Sequence, residues 1–161
     1  MALKLRQTKL LPPPLRPILV QRPRLIAHLN QAVDSACRAV VVTAPAGFGK
    51  TTQVRQWLSS GEQRDLRSEH AKHTAWLTLD EGDNDPDRFL RYLVAAMQRV
   101  APPAVEAAQA LLALPQVDIE ELITTLANDL AASPDPVTLV LDDYHQIHAQ
   151  AIHEALCRLV E

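Results

Sequence analysis

The residues with the clearest chemical potential lie in one short stretch. Val40–Thr52 reads Val-Val-Val-Thr-Ala-Pro-Ala-Gly-Phe-Gly-Lys-Thr-Thr, in which an apolar run meets a Pro/Gly turn and Lys-Thr-Thr opens a helical pattern. This strand, loop and helix order is typical of a phosphate-binding loop, whose N–H groups and helix dipole favour anions. Ala44 stands where the usual pattern has its first glycine, so a Gly-rich β–α turn without a ligand is the alternative.

Each polar residue of the loop has a predicted role in holding a nucleoside triphosphate. Lys50 would reach the β- and γ-phosphates, Thr51 would place its hydroxyl on Mg²⁺, and Thr52 would contact the α-phosphate. Gly47 and Gly49 let the backbone approach closely and adopt φ > 0. The predicted nucleotide-binding residues of the loop are Ala46, Gly47, Phe48, Gly49, Lys50, Thr51 and Thr52.

A second chemical signal is a pair of carboxylates, Asp142 and Asp143, that directly follows the apolar run Val137–Leu141. P-loop enzymes present an acid to the metal and to the attacking water in this way. Asp142 would hold Mg²⁺ together with Thr51, and Asp143 would orient or deprotonate the nucleophile, so both are predicted catalytic residues. Taken alone, the pair also fits a turn or a helix cap.

Two other polar clusters have structural explanations. The acidic stretch Asp83–Asp87 mimics the start of a calcium loop but lacks the glycine and closing glutamate of an EF-hand. Asp85 and Pro86 instead suit the N-cap and first residue of a helix. The histidines of His145–His153 have no suitably spaced cysteine, so a polar loop and helix face is favoured over zinc.

Composition favours one globular domain. The chain has 161 residues, 47% of them apolar, and its net charge of −3 with a pI near 6.1 gives no basic footprint for nucleic acid. Cys37 and Cys157 lack metal-like spacing and no signal peptide is recognised before them, which favours reduced thiols in the cytoplasm. No segment approaches the length of a transmembrane helix. An extended arm is predicted at Thr8–Pro23 and an exposed connection at Ser60–Lys72. The predicted strands are Ala39–Thr43, Thr74–Leu79 and Val137–Leu141. The first predicted helix includes Leu25 and ends near residues 35–38. Further helices are predicted at Lys50–Ser59, from Pro86 onward, at Val105–Leu114, at Asp118–Ala132 and from Ile152 onward.

Several segments together resemble the N-terminal ATPase region of the MalT-like, LuxR-family transcriptional regulators, which belong to the STAND class of signal-transduction ATPases. They are Thr8–Leu10, Val20–Leu25, Ala44–Thr52, Ala75–Asp80, Asp83–Phe89, Tyr92-Leu93 and Leu141–His145. The resemblance implies a three-layer α/β P-loop NTPase (ASCE/STAND type) with a parallel sheet, with Val20 and Arg22 at the adenine and ribose. It also implies a switch in which ADP holds a closed monomer, and the ATP form self-associates and activates transcription through a C-terminal DNA-binding domain. Hydrolysis in the family is slow.

The resemblance further leads us to expect a sheet that is incomplete at the C-terminus. In the family a further strand with a γ-phosphate sensor lies beyond the position of Glu161, so we expect an open slot, little ATP turnover and no DNA binding by this piece alone. We expect residues 1–38 to form an arm and helix, and residues 39–161 a partial NTPase domain. The alternatives are a small-molecule kinase or other metabolic ATPase, or an interaction module with a vestigial nucleotide site.

Overall fold

The computed structural model of the chain describes residues 5–15, 19–35, 37–60 and 73–161. The chain divides into two compact units, a small unit of Pro13–Ala71 and a large unit of Met1–Pro12 with Lys72–Glu161. The domain division predicted near residue 38 stays a prediction. The predicted exposed connection Ser60–Lys72 lies outside the described residues except at Ser60, which ends a helix.

The small unit contains two helices, α1 (Pro23–Asp34) and α2 (Lys50–Ser60). α1 starts with proline at its first turn, where the missing N–H costs no hydrogen bond, and it ends close to the predicted position. The two helices are joined by a hydrogen bond from Trp57 Nε1 to Asn30 Oδ1 at 3.0 Å. Both predicted helices of this unit are therefore confirmed.

The strand predicted at Ala39–Thr43 is wrong, because residues 39–45 form no regular secondary structure. The run that was expected to be buried on both faces is exposed, and Val41 is 83% accessible. A strand needs a neighbour to satisfy its backbone N–H and C=O groups. Among the described residues the sheet has two strands, which pair with each other, and neither pairs with this run.

The sheet lies in the large unit and consists of β1 (Thr74–Thr78) and β2 (Thr138–Asp142). The strands are parallel, with Thr74 opposite Thr138 and Thr78 opposite Asp142. Three consecutive residues of β1, Ala75–Leu77, are buried, as expected of a strand covered on both faces. The predicted strands at 74–79 and 137–141 are confirmed to within one residue at each end.

The large unit also contains four helices, which are α3 (Pro86–Gln98), α4 (Glu106–Leu112), α5 (Ile119–Ala132) and α6 (Gln150–Val160). Asp85 caps α3 by accepting from the Arg88 N–H at 2.9 Å, which confirms the predicted cap. The helix predicted at Val105–Leu114 is confirmed as α4, and the 3₁₀ turn Pro102–Val105, which begins at two prolines, directly precedes it. The apolar faces predicted for α3 and α5 form the core, through Phe89, Leu90, Leu93, Val94, Met97, Leu122, Ile123 and Leu126.

The predicted extended arm is only partly correct. Gln7–Leu10 forms a 3₁₀ turn in the large unit, whereas residues 11–15 carry no helix or strand. Lys9 and Leu10, at the end of this turn, are both buried. Residues 16–18 of the predicted arm lie outside the described residues. Within the described ranges, no helix combines the length and apolar character needed to cross a membrane.

Candidate functional site

The loop before α2 has the backbone conformation that its glycines predict. Gly47 and Gly49 have φ of +82° and +81°, values that side chains with a Cβ rarely adopt. A Cβ at Gly47 would meet no atom within 4 Å, so this glycine is required by conformation and not by packing. The Phe48 N–H donates to Pro45 O at 3.3 Å and closes the turn. The loop is exposed and leads directly into Lys50, the first residue of α2.

The Lys50 side chain folds back over this loop. Its Nζ donates to Ala44 O at 2.8 Å and to Pro45 O at 3.4 Å. The stretch Cys37–Ser60 contains three cationic residues and no Asp or Glu. Exposed backbone donors at a helix N-terminus, a lysine held over them and an absence of nearby acidic residues in the sequence together fit a polyanion such as the phosphates of ATP or ADP.

The structure also brings Arg22 to the loop. Arg22 Nη1 donates to Phe48 O at 3.3 Å, so the residue before α1 contacts the turn between the two glycines. Val20, two residues earlier, is held through its carbonyl by Gln56 Nε2 at 3.2 Å, while its side chain is 78% exposed. The proximity of Arg22 to the loop agrees with its predicted role, but contact of Val20 and Arg22 with a nucleoside stays a prediction.

An open pocket lies beside the start of α2 in the small unit. Arg55, on α2, donates from Nε to Pro13 O at 2.9 Å and so holds one wall of the pocket. The pocket volume is about 220 Å³, below the roughly 300–1,000 Å³ of most small-molecule sites. This pocket is therefore too small to hold a whole nucleotide by itself. It is lined by Pro13, Pro14, Leu15, Thr51, Thr52 and Arg55.

The two predicted catalytic acids lie together at the end of β2 in the large unit. Asp142 is the last residue of the strand, and its carbonyl accepts from the Leu79 N–H at 2.9 Å. Asp143 has φ of +56°, a left-handed conformation that aspartate tolerates better than most residues. The carboxylate of Asp143 lies 3.9 Å from Nδ1 of His145. The chain thus turns sharply at Asp143, which leaves its half-exposed carboxylate at the carboxyl end of the sheet.

The histidines of this region have separate neighbours. His153 Nδ1 lies 2.5 Å from the Tyr144 hydroxyl, and burial together with the nearby Cys157 raises the pKa of Tyr144. Among the described residues, no three His, Cys, Asp or Glu side chains are grouped so that they could hold a metal ion.

The acidic stretch after β1 forms an ion-pair cluster. The sequence had indicated only a helix-capping role for this stretch. Asp83 is completely buried and forms ion pairs with Lys9 and, at 3.0 Å, with Arg88 Nε. It also accepts from the Asp80 N–H at 2.8 Å. The ring of Tyr92 lies under both cations, 4.6 Å from Lys9 Nζ and 5.7 Å from the Arg88 guanidinium. This buried ion-pair cluster ties the Gln7–Leu10 turn to β1 and α3.

Asp80 completes the ion-pair cluster at its exposed side. Burial pushes the pKa of this carboxyl upward, but the hydrogen bond and charge of Lys9, the charge of Arg88 and the Gly82 N–H outweigh that effect. The pKa of Asp80 is therefore below its usual range, and the group is ionised at neutral pH.

Asn84 connects the ion-pair cluster to the chain that follows the two acids. Its Nδ2 donates to Glu81 O at 2.9 Å and to Gln146 O at 2.8 Å. Its Oδ1 accepts from the N–H groups of His148 at 2.6 Å and Ala149 at 2.9 Å. The sequence contained Asn84 within a recognisable segment, but nothing in its spacing indicated a contact with residues more than sixty positions away.

The predicted site residues thus form two groups. Arg22 and Lys50 contact the loop within the small unit, and Asp142 and Asp143 adjoin within the large unit. That both groups serve one nucleotide stays a prediction from the sequence.

Comparison with known proteins supports the class that the loop and the parallel strands suggest. A family model described as an AAA domain matches residues 33–161. The chain therefore belongs to the AAA domain family, and its fold is an incomplete α/β P-loop fold.

More particularly, the chain is similar to proteins named HTH-type transcriptional regulator MalT. The relatives from Cronobacter sakazakii and from Klebsiella pneumoniae are both 38% identical to it over 138 residues. The match covers 85% of this chain and 14% of each relative, so the chain spans only a small part of their length. The resemblance to MalT-like regulators inferred from the sequence is confirmed.

Proposed function

We propose that this chain is the ATP- and ADP-binding switch module of a MalT-like, LuxR-family transcriptional regulator of the STAND class. The loop Ala46–Thr52 holds the phosphates, with Lys50 on the β- and γ-phosphates and Thr52 at the α-phosphate. Val20 and Arg22 contact the adenine and ribose. The full regulator, a cytoplasmic protein, self-associates in its ATP state and binds DNA through a separate C-terminal domain.

The observation that carries this proposal is the conformation of the loop. Gly47 and Gly49, both at positive φ, precede a helix that begins at Lys50. The Lys50 ammonium group donates to two carbonyl groups of the loop itself. A phosphate oxygen would replace these carbonyls as the partner of the ammonium group, and the flexible lysine side chain can make this exchange by a local movement. The Arg22 contact to Phe48 O supports a second cation beside the same turn.

We also propose, from the residue types in the sequence, that the module binds a magnesium ion. Mg²⁺ prefers oxygen ligands and keeps several of its waters, so one hydroxyl and one carboxylate are a sufficient protein contribution. Thr51 and Asp142 would hold the ion, which when bound neutralises phosphate charge. Asp143 is half exposed and would orient an attacking water. We expect slow hydrolysis or none from this chain.

Equilibrium titration of labelled ATP and ADP, with Mg²⁺ and with EDTA, tests the proposal. Hydrogen bonds to charged groups contribute about 1.5–3 kcal/mol, so we expect Lys50→Ala to weaken ATP binding by roughly 10- to 150-fold. Arg99→Ala is the control, because it removes the same charge from an exposed position in the large unit. It should leave the affinity unchanged.

An absence of affinity for either nucleotide in the parent chain would contradict the proposal and favour an interaction module with a vestigial loop. Equal losses in Lys50→Ala and Arg99→Ala would show that binding depends on overall charge and not on the loop. Formation of a phosphorylated product from ATP and a small acceptor would instead indicate a kinase.

A further inference from the structure

The turn that carries the two acids is fixed differently at its two ends. At its start, Asp142 is held in β2 by the parallel register with Thr78 and by the Leu79 N–H. After Asp143 the chain makes a 3₁₀ turn, Tyr144–Gln146, and reaches α6 at Gln150. The far end of this segment is held by a side chain from another element, Asn84.

The far end has no cap of its own. Ala149 occupies the N-cap position of α6, and alanine has no side-chain oxygen to accept from the N–H groups at a helix start. Asn84 does not replace that cap, but its Oδ1 accepts from the N–H groups of His148 and Ala149, which directly precede the helix, and its Nδ2 donates to Gln146 O. A single amide therefore satisfies three backbone groups of the four-residue stretch 146–149.

Asn84 itself is held firmly. It is the last residue of the 3₁₀ turn Glu81–Asn84. The residue before it, Asp83, is the buried centre of the ion-pair cluster with Lys9 and Arg88. The turn is closed by a reciprocal pair of hydrogen bonds between Asp80 and Asp83. A side chain mounted on such a base restricts the chain it binds more than one on an exposed loop would.

We propose that Asn84 is a positioning residue that fixes the direction of the acid-bearing turn Asp142–Gln146. It acts by clamping residues 146–149, so that Asp143 keeps its left-handed conformation and the pair of carboxylates keeps one orientation. The part of this inference that concerns metal rests on the proposed function, in which Asp142 helps to hold Mg²⁺. The clamp itself rests on the hydrogen bonds alone.

Two measurements on the 161-residue chain separate these parts. The first is amide hydrogen exchange of residues 143–149 without nucleotide. The second is the factor by which Mg²⁺ tightens ATP binding relative to EDTA. Loss of residues that orient metal ligands typically weakens metal binding by about 10- to 100-fold, so we expect Asn84→Ala to reduce the Mg²⁺ factor by that amount. Binding of ADP in EDTA should not change.

The matched control is Asp85→Ala. It removes a cap from the neighbouring position, and its partner is the Arg88 N–H of α3. This variant should lower stability without changing exchange at residues 143–149 or the Mg²⁺ factor. Asn84→Asp keeps an acceptor for His148 and Ala149 but loses the donor to Gln146, so its effect should be smaller than that of alanine.

Unchanged exchange at residues 143–149 in Asn84→Ala would overturn the inference, whether or not nucleotide binds. Equal Mg²⁺ factors in Asn84→Ala and Asp85→Ala would reduce Asn84 to a purely structural role and overturn the positioning claim. If the parent chain binds no ATP, the proposed function fails and the metal part falls with it, while faster exchange in Asn84→Ala would still support the clamp.

Discussion

At the scale of single residues, the position of Asp83 has the clearest energetic consequence. Its carboxylate is fully removed from water and is balanced by Lys9 and Arg88. A buried ion pair adds little over an apolar substitute, but removal of one partner leaves the other charge buried and poorly compensated. Without Asp83, the buried Lys9 and the partly buried Arg88 would keep only the exposed carboxylate of Asp80 as a partner. The ion-pair cluster therefore responds strongly to the loss of Asp83.

We expect Asp83→Ala to lower the free energy of unfolding by about 3 kcal/mol, the lower end of the cost of breaking a buried pair, because Asp80 still pairs with Lys9 and Arg88. Asp87→Ala is the comparison, because Asp87 pairs with Arg91 on the exposed side of α3 at 2.8 Å. Exposed pairs contribute about 0–1 kcal/mol. Urea denaturation of both variants measures the difference, and equal losses would mean that the ion-pair cluster is hydrated in solution.

At the scale of elements, the sequence correctly predicted the helices, whose start signals and apolar spacing lie within the helix sequence itself. Asp85 and Pro86 define the start of α3, and the apolar spacing from Phe89 to Met97 defines its buried face. Helix signals of this kind are local, so they can be recognised without knowledge of the partner. The predicted α2 also depended on the loop that precedes it, and it begins at Lys50 as expected.

The valine run at 39–43 failed as a prediction because a strand is not a local structure. Its β-branched, apolar composition suits a strand, but backbone pairing is decided by whether a neighbouring strand is present, and no property of the run itself indicates that. The same limit applies to Asn84. Its neighbours in sequence indicated a cap, whereas its partners at residues 146–149 are set by how β1 and β2 align.

Because the valine run is exposed and not a buried strand, substitutions in it should affect stability much less than substitutions in β1. Val41 is 83% exposed, whereas Leu77 in β1 is fully buried. We expect Val41→Ala to change the free energy of unfolding by no more than about 0.5 kcal/mol and Leu77→Ala to lower it by about 2–5 kcal/mol. Thermal or urea unfolding checks both. A loss in Val41→Ala close to that in Leu77→Ala would indicate that the run is packed as a strand in solution.

At the scale of the whole molecule, the core is unevenly distributed between the two units. Nearly all the buried apolar side chains belong to the large unit, and Leu58 is the only one among the described residues of the small unit. Burial of apolar surface is the main source of stability, so regions with little of it open at lower free energy. The candidate phosphate-binding loop is therefore located in the less stable unit.

We expect the amides of α2 to exchange with solvent faster than those of α3, and ATP to slow the exchange of α2 selectively. At 100-fold excess over its dissociation constant, a ligand stabilises the form that binds it by about 2.7 kcal/mol. Hydrogen exchange followed by mass spectrometry, with Lys50→Ala as the variant that should not respond, measures this. Equal protection of the two helices without ligand would contradict the assignment of stability to the large unit.

The exposed stretch 39–44 has one more consequence, for solubility. Ala-Val-Val-Val-Thr-Ala has high β propensity and no charge or proline, the composition of segments that stack between molecules into fibrillar sheets. Arg38 stands immediately before it and Pro45 immediately after. A charge and a proline in these places are the gatekeepers that limit such stacking, so Pro45, which begins the turn of the candidate phosphate-binding loop, also protects the molecule from aggregation.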